Sequence, residues 1–550
     1  MLSYLVSSIA SINASNVIST NSTISLFSKG SGCLNDPYMI ENVVQLQNMK
    51  NDLGAHYSQA NDIDAGQTNS WNNGLGFAPI GTSMSNAFTG SLNGNNYSIS
   101  DLYINRPQDD FVGLFGFVGD SGVISNVSLI DAEVSSGTYQ CIGTLVGRNR
   151  GLVTYCSATG HANGGYRVGG LVGENNPGTV QYSHASVTVN AVDGRIGGLV
   201  GFNVNGLVYR CSATGNVTGG WYVGGLVGRN LDSTVIDSYA TGMVSGSTAV
   251  GGLAGDNEGS TIIGSYSDAV AAGSWAVGGL LGYVWSTSIV NCYASGEVNA
   301  NSDVGGLAGY IVQSSIDKSY ANGYVNGNSN AGGLVGVKTW GSSVTNSFWD
   351  VGTSGMQTSD GGIGKPTAEM KKISTYETAS WDISLMQDFI DEIWFIDDGV
   401  DYPRLGWEFT SYVPLPTLSC TGSFSWTNIT PGDLIKGTFT VQNNGDPVSL
   451  LDWEIQSYPD WGTWTFDPDG GLGLKPEDGM VTVNVEVVAP NEPETEFTGE
   501  ILVVNGDDPD NFCSIDVALV TPMRYQSILI SFTQKLVQWF WFLGSIFKLF

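Results

Sequence analysis

Charge, histidine and basic residues are scarce in this sequence of 550 residues. Charged residues make up 13% of the chain, and 20 Lys and Arg stand against 51 Asp and Glu, so the net charge is −31. A surface for nucleic acid or for anionic lipid needs clustered basic side chains. The composition therefore predicts no nucleic-acid partner.

The few histidines and cysteines exclude several kinds of catalytic site. His56, His161 and His184 are the only histidines, so an HExxH zinc helix is absent and a Ser/His/acid triad would need one of these three. The seven cysteines form no CxxC pair, which removes zinc knuckles and thioredoxin-type redox motifs. We expect the cysteines to be structural.

Glycine is the residue in excess, with 75 copies. Because 41% of the chain is hydrophobic, these glycines do not mark a flexible linker. They mark an internal repeat instead, which runs from VGLFG at 112–116 to GGLVG at 332–336 in steps of 31, 26, 28 and then a constant 27 residues. The central leucines of its nine copies are Leu114, Leu145, Leu171, Leu199, Leu226, Leu253, Leu280, Leu307 and Leu334.

A second marker, seen in RCSATG at 210 and DSYATG at 237, keeps the same period. Short β-prone pieces without helical spacing, repeated about every 27 residues, indicate an all-β fold: a right-handed parallel β-solenoid, or β-helix. We expect glycine at the corners, because it tolerates positive φ and allows close backbone stacking. The motif leucine should point into the narrow core.

The nine copies resemble the GLUG motif, a repeat of adhesin-like surface proteins of bacteria and archaea. The resemblance covers residues 111–350 and implies a secreted or cell-surface protein. The flanks are similar to the companions of such arrays, with a cap and opening turns at 31–110 and a C-terminal cap at 351–411. In that cap, Pro366 to about Met386 should cover the lower end of the solenoid, and Trp381, Trp394, Tyr402 and Trp407 should seal its apolar edge. Some GLUG proteins are peptidases with a zinc HExxH helix, which this sequence lacks.

Composition changes near Pro414, and the following module is the more acidic part of the chain. Residues 412–521 hold 18 Asp and Glu against Lys436 and Lys475. Strands such as LIKGTFTVQN alternate in the manner of an antiparallel sandwich, and residues 412–522 resemble the BACON-like and Hydin-like Ig-like domains. Cys420 and Cys513, in the first and last predicted strands, are the candidates for a disulfide in an oxidising exterior.

The two chain ends are apolar. Residues 1–30 are predicted to be a degenerate signal or a disordered segment, since no basic residue precedes the apolar stretch. Residues 523–550 form a hydrophobic or amphipathic tail, for which a membrane span, an interfacial helix and a helix packed on the protein all stay open. The tail predicts membrane association at the C-terminus.

Two sets of residues are candidate ligand sites. Tyr166, Trp221, Tyr222 and Trp275 precede the motif at matching phase and predict an aromatic stripe along one edge, the alternative being packing against neighbouring turns. Asp507, Asp508 and Asp510 in NGDDPDN offer oxygen ligands of the kind that Ca²⁺ uses, against the alternative of a solvated turn. No other cofactor is predicted.

The combined prediction is a non-catalytic, adhesin-like protein that binds extracellular glycans or surface proteins. One alternative is a β-helix carbohydrate-active enzyme of the polysaccharide lyase or glycoside hydrolase type, which needs an acidic pair on one face. Repeat acids such as Asp237 and Asp256 are scattered in phase, however, and Arg210 and Arg229 are expected to be isolated. The other alternative is a structural component of the cell envelope.

Overall fold

The computed structural model describes residues 27, 29–137, 141–386, 393–409, 416–445, 449–508, 511–522 and 533–541. The chain forms two compact units, Met1–Thr410 and Ser411–Phe550. The first unit is a parallel β-solenoid of about nine turns, each of about 27 residues. The predicted solenoid is thus confirmed, and its right-handed sense stays a prediction.

Three long parallel sheets form the walls of the solenoid. Sheet 1 has 12 strands: Tyr38–Ile40, His56–Gln59, Ser91–Asn93, Val123–Ser125, Leu152–Thr154, Thr179–Gln181, Leu207–Tyr209, Thr234–Ile236, Thr261–Ile263, Ser288–Val290, Ser315–Asp317 and Ser343–Thr345. Sheet 3 has nine strands: Phe115–Val118, Val146–Asn149, Val172–Asn175, Val200–Val204, Val227–Leu231, Ala254–Glu258, Leu281–Trp285, Ala308–Val312 and Val335–Lys338.

Sheet 2 has 25 strands in three adjoining strips. Strip A contains Ile63–Asp64, Ser98–Ser100, Ser128–Ser136, Ser157–Gly164, His184–Ala191, Ser212–Ala213, Tyr239–Ala240, Tyr266–Ser267, Tyr293–Ala294, Tyr320–Ala321, Phe348–Asp350 and Ile363–Lys365. Strip B contains Tyr103–Arg106, Val217–Thr218, Met243–Ser245, Val270–Ala272, Val298–Gly305 and Val325–Gly332. Strip C contains Phe111–Val112, Cys141–Ile142, Arg167–Gly169, Arg195–Gly197, Trp221–Gly224, Thr248–Gly251 and Trp275–Gly278, and it lies next to sheet 3 along the chain.

The core is a stack of identical or similar side chains. All nine motif leucines are fully buried in one hydrophobic cluster that runs through the solenoid. Beside them, the side-chain amides of Asn149, Asn175, Asn203 and Asn230 form a ladder in which the Nδ2 of each of the first three donates to the Oδ1 of the next over 2.8 Å, whereas the Nδ2 of Asn230 has no hydrogen-bond partner. Burial of the first three amides is offset because each donates a hydrogen bond to its copy in the next turn.

The expectation that the motif glycines adopt positive φ is wrong. Gly224, Gly225 and Gly228 do not adopt it; a Cβ built on Gly225 would instead lie 2.1 Å from the carbonyl oxygen of Gly252 in the next turn. The positive-φ corners are occupied mostly by residues with side chains, in columns such as Asn205, Asp232, Gly259, Ser286 and Gln313. The motif therefore needs glycine for close backbone approach.

Smaller elements close the solenoid. Near its start, the helix Val43–Asn48 is capped by Asn42 and buries Val43 and Leu46; the 3-10 helices Met49–Asn51 and Gly66–Gly74 follow. After the last turn come the helices Val351–Ser354, Thr367–Met370 and Ile373–Glu377, a sheet of Ile383–Leu385, Trp394–Ile396 and Arg404–Leu405, and the 3-10 helix Gly406–Glu408.

The C-terminal part of the cap lies along the flank of the solenoid as well as at its last turn. Tyr239, Tyr266, Tyr293 and Tyr320 of strip A stack with ring centres 4.7–5.1 Å apart, and the cap covers this tyrosine ladder. The indole N–H groups of three cap tryptophans donate to one column of corners: Trp381 to Asn346, Trp394 to Asn291 and Trp407 to Gly264. Trp394, Tyr402 and Trp407 therefore seal a side of the solenoid, whereas Trp381 packs on its last turn.

The second unit contains two sheets around one hydrophobic cluster. One sheet has the strands Leu418–Thr421, Leu434–Asn443, Val481–Val488 and Thr463–Asp467, and the other has Phe424–Thr427, Phe512–Val520, Glu496–Asn505, Leu451–Ser457 and Gly470–Leu474. The 3-10 helix Pro476–Asp478 lies between two of these strands, and a helix spans residues 533–541. The resemblance of this unit to Ig-like domains stays a prediction.

Candidate functional site

The edge at which strip C of sheet 2 meets sheet 3 is the candidate site, and the motif glycines shape it. Between the two strands of each turn the chain bends at GGL, and the last glycine of the motif packs on the preceding turn. A Cβ on Gly228 would lie 2.3 Å from the nitrogen of Ile196, and one on Gly255 would lie 2.5 Å from that of Val223. This contact brings residues just before one motif next to residues just after the following motif, such as Arg195 and Arg229.

Tyr166, Trp221 and Trp275 occupy one column at this edge. The register pairs Trp221 with Thr248 and Thr248 with Trp275, so the two tryptophans lie two turns apart. Trp221 is 52% exposed and Trp275 is 37% exposed, whereas Tyr166 is half-buried. Tyr222 lies in the neighbouring column, at a left-handed corner with φ 52°. The structure thus places the four aromatics at one edge, in two columns.

A column of sheet 3 that was not predicted from the sequence lies beside these aromatics. Its members are paired in register from turn to turn: Phe117, Arg148, Glu174, Phe202, Arg229, Asp256, Tyr283 and Tyr310. Each of these residues directly follows the last glycine of a motif copy. This fixed position in the sequence would have allowed the column to be predicted. We call this column, together with the aromatics above and the residues Arg167 and Arg195, the corner strip.

One end of the corner strip is an aromatic platform. The ring of Trp275 lies 5.9 Å from that of Tyr283 and 5.7 Å from that of Tyr310. Tyr283 and Tyr310 stack on each other with ring centres 5.6 Å apart. Trp275 and Tyr283 flank one motif copy and Tyr310 follows the next, so the three partly exposed rings come from two turns, and the Trp275 ring is tilted by 33° and 41° to the tyrosine rings. Together they offer an apolar aromatic surface with polar edges, which can contact a sugar ring.

The middle of the corner strip is charged. Glu174 lies 3.5 Å from Arg148 and 3.2 Å from Arg167. Four of the nine arginines of the chain, Arg148, Arg167, Arg195 and Arg229, lie along this edge. A chain with a net charge of −31 therefore has a local concentration of guanidinium groups here.

Arg229 is not isolated, contrary to expectation. Its guanidinium pairs with Asp256 over 2.8 Å and with Glu258 over 2.5 Å, and it lies 5.6 Å from the centre of the Tyr222 ring. Burial raises the pKa of Asp256 to about 6, although Arg229 lowers it. Arg210 is likewise paired, with Asp237 over 3.3 Å.

The other predicted sites lie in the second unit. Cys420 and Cys513 form a disulfide with their Cα atoms 5.9 Å apart. In NGDDPDN, Asn505 accepts a bond from the backbone nitrogen of Asp507, and Asp510 lies outside the described residues. No cluster of three or more metal-binding side chains is found in the part of the chain that the structure describes. Calcium binding stays a prediction.

Most of the N-terminal segment 1–30 and residues 523–532 and 542–550 of the tail fall outside the described residues. The tail helix at 533–541 exposes Trp539, Phe540 and Trp541. Among the described residues, no helix has the length and apolar character needed to cross a bilayer.

Comparison with known proteins matches the repeats. The GLUG motif model matches residues 193–218, 219–245 and 273–299. Halomucin of Haloquadratum walsbyi is 38% identical over 151 residues, which cover 26% of this chain and 2% of halomucin. A Gly-rich membrane protein of Evansella cellulosilytica is 38% identical over 185 residues, which cover 28% of this chain and 21% of that protein. The chain thus spans only a small part of the length of these relatives.

Proposed function

We propose that this chain is a non-catalytic, adhesin-like protein of the cell surface or the secreted fraction, which binds extracellular glycans or surface proteins along the corner strip. The GLUG repeats, the solenoid and the two relatives fit a surface protein. The observation that carries binding is the platform of Trp275, Tyr283 and Tyr310, continued by exposed Trp221. The cap covers the tyrosine ladder, whereas the rings of Trp221 and Trp275 are left exposed, and exposed aromatic surface is typical of a binding site.

The second unit and the C-terminal tail serve as a spacer and as an anchor in this proposal. The second unit is an acidic, Ig-like spacer, and its Cys420–Cys513 disulfide suits an oxidising exterior. The tail associates with a membrane through the exposed aromatic side chains of Trp539, Phe540 and Trp541.

A glycan and surface-protein binding array tests the proposal with the full chain. We expect binding that Trp275→Ala weakens about tenfold, since loss of one stacking ring costs about 1.4 kcal/mol. Trp340→Ala is the matched control, because Trp340 is 84% exposed and contributes nothing to the corner strip. Equal binding by both variants and the wild type, or no binding to any array member, would contradict the proposal.

A β-helix enzyme is the second candidate function, and one observation favours it. Asp256 has a pKa of about 6, near that of a general acid, and Glu258 and Arg229 lie beside it. Against this, the side chain of Asp256 is only 7% exposed and is held by Arg229. Release of reducing ends or unsaturated products from a polysaccharide, abolished by Asp256→Asn, would establish the enzyme and refute the non-catalytic proposal.

A further inference from the structure

Arg195 lies in the corner strip between two groups of ion pairs. On one side, Glu174 pairs with Arg148 and Arg167; on the other, Arg229 pairs with Asp256 and Glu258. No ion pair includes Arg195 among the residues that the structure describes. The strip therefore contains, at its centre, one guanidinium group without an ion pair; the charge of this group lowers the pKa of Asp256, which pairs with Arg229.

The guanidinium of Arg195 is stacked between two rings. Its central carbon lies 4.4 Å from the centre of the Phe202 ring and 4.7 Å from that of Tyr166. These contacts fix the plane of the group, which makes it a rigid donor fork. A flexible surface arginine would lose more side-chain entropy on binding a ligand than this one would.

The hydrogen-bond donors of Arg195 are incompletely used. Its Nε and Nη1 atoms are buried and have no hydrogen-bond partner. A buried donor that lacks a partner costs free energy, and more so when the group is charged. Burial lowers the pKa of Arg195, and the nearby Arg229 and Arg167 guanidiniums lower it further, whereas Tyr166 raises it. A carboxylate that binds Nη2 together with either Nε or Nη1 would give one of these donors a partner and would reduce the repulsion between like charges.

An exposed ring lies close to this charge. Trp221 is two residues before Val223, which pairs with Ile196, so Trp221 stands opposite Gly194, the neighbour of Arg195 in sequence. Neighbouring strands are about 4.8 Å apart. Other rings of the same column contact residues of the corner strip: Tyr166, two turns before Trp221, contacts Arg195, and Trp275, two turns after it, contacts Tyr283. A sugar ring stacked on Trp221 would therefore present its substituents to Arg195.

We infer that Arg195 is an anion subsite of the corner strip, and that it receives the carboxylate of an acidic pyranose residue stacked on Trp221. The planar guanidinium matches a carboxylate through two parallel hydrogen bonds. This inference rests on the proposed glycan-binding function and narrows it to polysaccharides that contain uronic acids. The net charge of −31 makes general adsorption of a polyanion unfavourable, so such binding would report a local site.

The test compares two forms of one polymer, polygalacturonate and its fully methyl-esterified form, binding to the full chain. We expect the wild type to prefer polygalacturonate at least about tenfold, in line with a charge-assisted bidentate pair. Arg195→Gln should abolish the preference, and Trp221→Ala should weaken binding to both forms. Arg150→Gln is the matched control, because Arg150 pairs with Asp120 over 2.6 Å outside the strip and its loss should change neither affinity.

Two kinds of outcome would separate a failure of the Arg195 subsite from a failure of glycan binding. Equal affinity for both polymers, or a preference that survives in Arg195→Gln, overturns the inference and leaves the proposed glycan binding intact. Binding to neither polymer nor to any other glycan overturns both. If Arg195→Gln does not fold, Arg195→Lys decides, because Lys keeps the charge without the fork; an undiminished preference in that variant overturns the inference.

Discussion

Gly228 packs directly on the backbone nitrogen of Ile196 in the preceding turn, so closely that a Cβ on Gly228 would lie 2.3 Å from that nitrogen. Gly228→Ala must therefore push two turns apart. We expect the variant to lose about 2 to 3 kcal/mol of unfolding free energy, as overpacked cores do. Urea unfolding followed by circular dichroism measures this loss. Gly54→Ala is the control, because a Cβ there meets only Thr89 Oγ1 at 3.8 Å, and equal stability of both variants would refute the packing role.

A left-handed corner gives the opposite prediction. Ser286 has φ 50°, is exposed, and its column has glycine at Gly259 one turn earlier. A left-handed backbone conformation costs a residue with a Cβ about 1 to 2 kcal/mol, and glycine avoids this cost. Glycine also raises the conformational entropy of the unfolded chain, which cancels part of the gain in stability. We expect Ser286→Gly to stabilise the solenoid by about 0.5 to 1 kcal/mol, seen as a higher unfolding temperature. Ser288→Gly, in a strand of the same turn, should destabilise it; stabilisation by both would point to another cause.

The carboxyl group of Asp256 should make stability depend on pH. Burial raises its pKa from 3.8 to about 6, so between these values the folded protein holds a proton that the unfolded chain has released. Stability contributed by this group is therefore lost as pH rises from about 4 to 6. An Asn side chain does not titrate, so the Asp256→Asn variant does not show this loss of stability. We therefore expect the unfolding free energy of the variant, relative to that of the wild type, to rise by about 2 kcal/mol between pH 4 and pH 7.

Comparison with the wild type cancels the other buried carboxyl groups, such as Glu408, whose pKa burial also raises. Urea titrations at the two pH values give the difference. Thr248→Ala, which changes no titratable group and lies at the same edge, serves as the control and should show a constant offset. A constant offset for Asp256→Asn as well would show that its pKa is not raised in the folded protein.

The disulfide should stabilise only the second unit. Cys420 and Cys513 are 93 residues apart, and closing a loop of that size contributes about 4.6 kcal/mol in the chain-entropy account. We expect Cys420→Ser with Cys513→Ser to lower the calorimetric transition of this unit and to leave that of the solenoid in place. Cys156→Ser is the control, since Cys156 is a free thiol in the solenoid core. An unchanged second-unit transition would refute the prediction.

The parts of the fold that repeat could be predicted, because each copy reports the same physical constraint. Leu226 and its eight counterparts recur with one period and are all buried, and the strand Leu434–Asn443 coincides with the alternating segment LIKGTFTVQN. The physical reason why the motif needs glycine could not be predicted from the sequence. Positive φ and close backbone approach both favour glycine, and they are distinguished only by tertiary contacts such as that of Gly228 with Ile196.

The charged part of the candidate site could not be predicted for a related reason. Arg195 and Phe202 lie on opposite sides of one motif copy, and their neighbour Arg229 follows the next copy. Their contacts depend on how the chain bends at GGL, which the period does not reveal. The cap posed the same difficulty: Trp394 and Trp407 are visible as aromatics in the sequence, but the column of corners that receives them is set by the tertiary fold.

The tryptophan contacts of the cap divide the solenoid into a part of variable length and a part of fixed length. The indole of Trp407 bonds to Gly264, that of Trp394 to Asn291 and that of Trp381 to Asn346. Insertion or loss of a turn between these positions would therefore move the partners away from the indoles. Arg210, whose guanidinium lies 5.7 Å from the Trp407 ring, marks the upstream limit of these tryptophan contacts among the described residues. Upstream of Arg210, one further 27-residue copy would add only one strand spacing of about 4.8 Å. Unequal recombination between gene copies can therefore change the reach of the protein on its N-terminal side while the capped end stays intact.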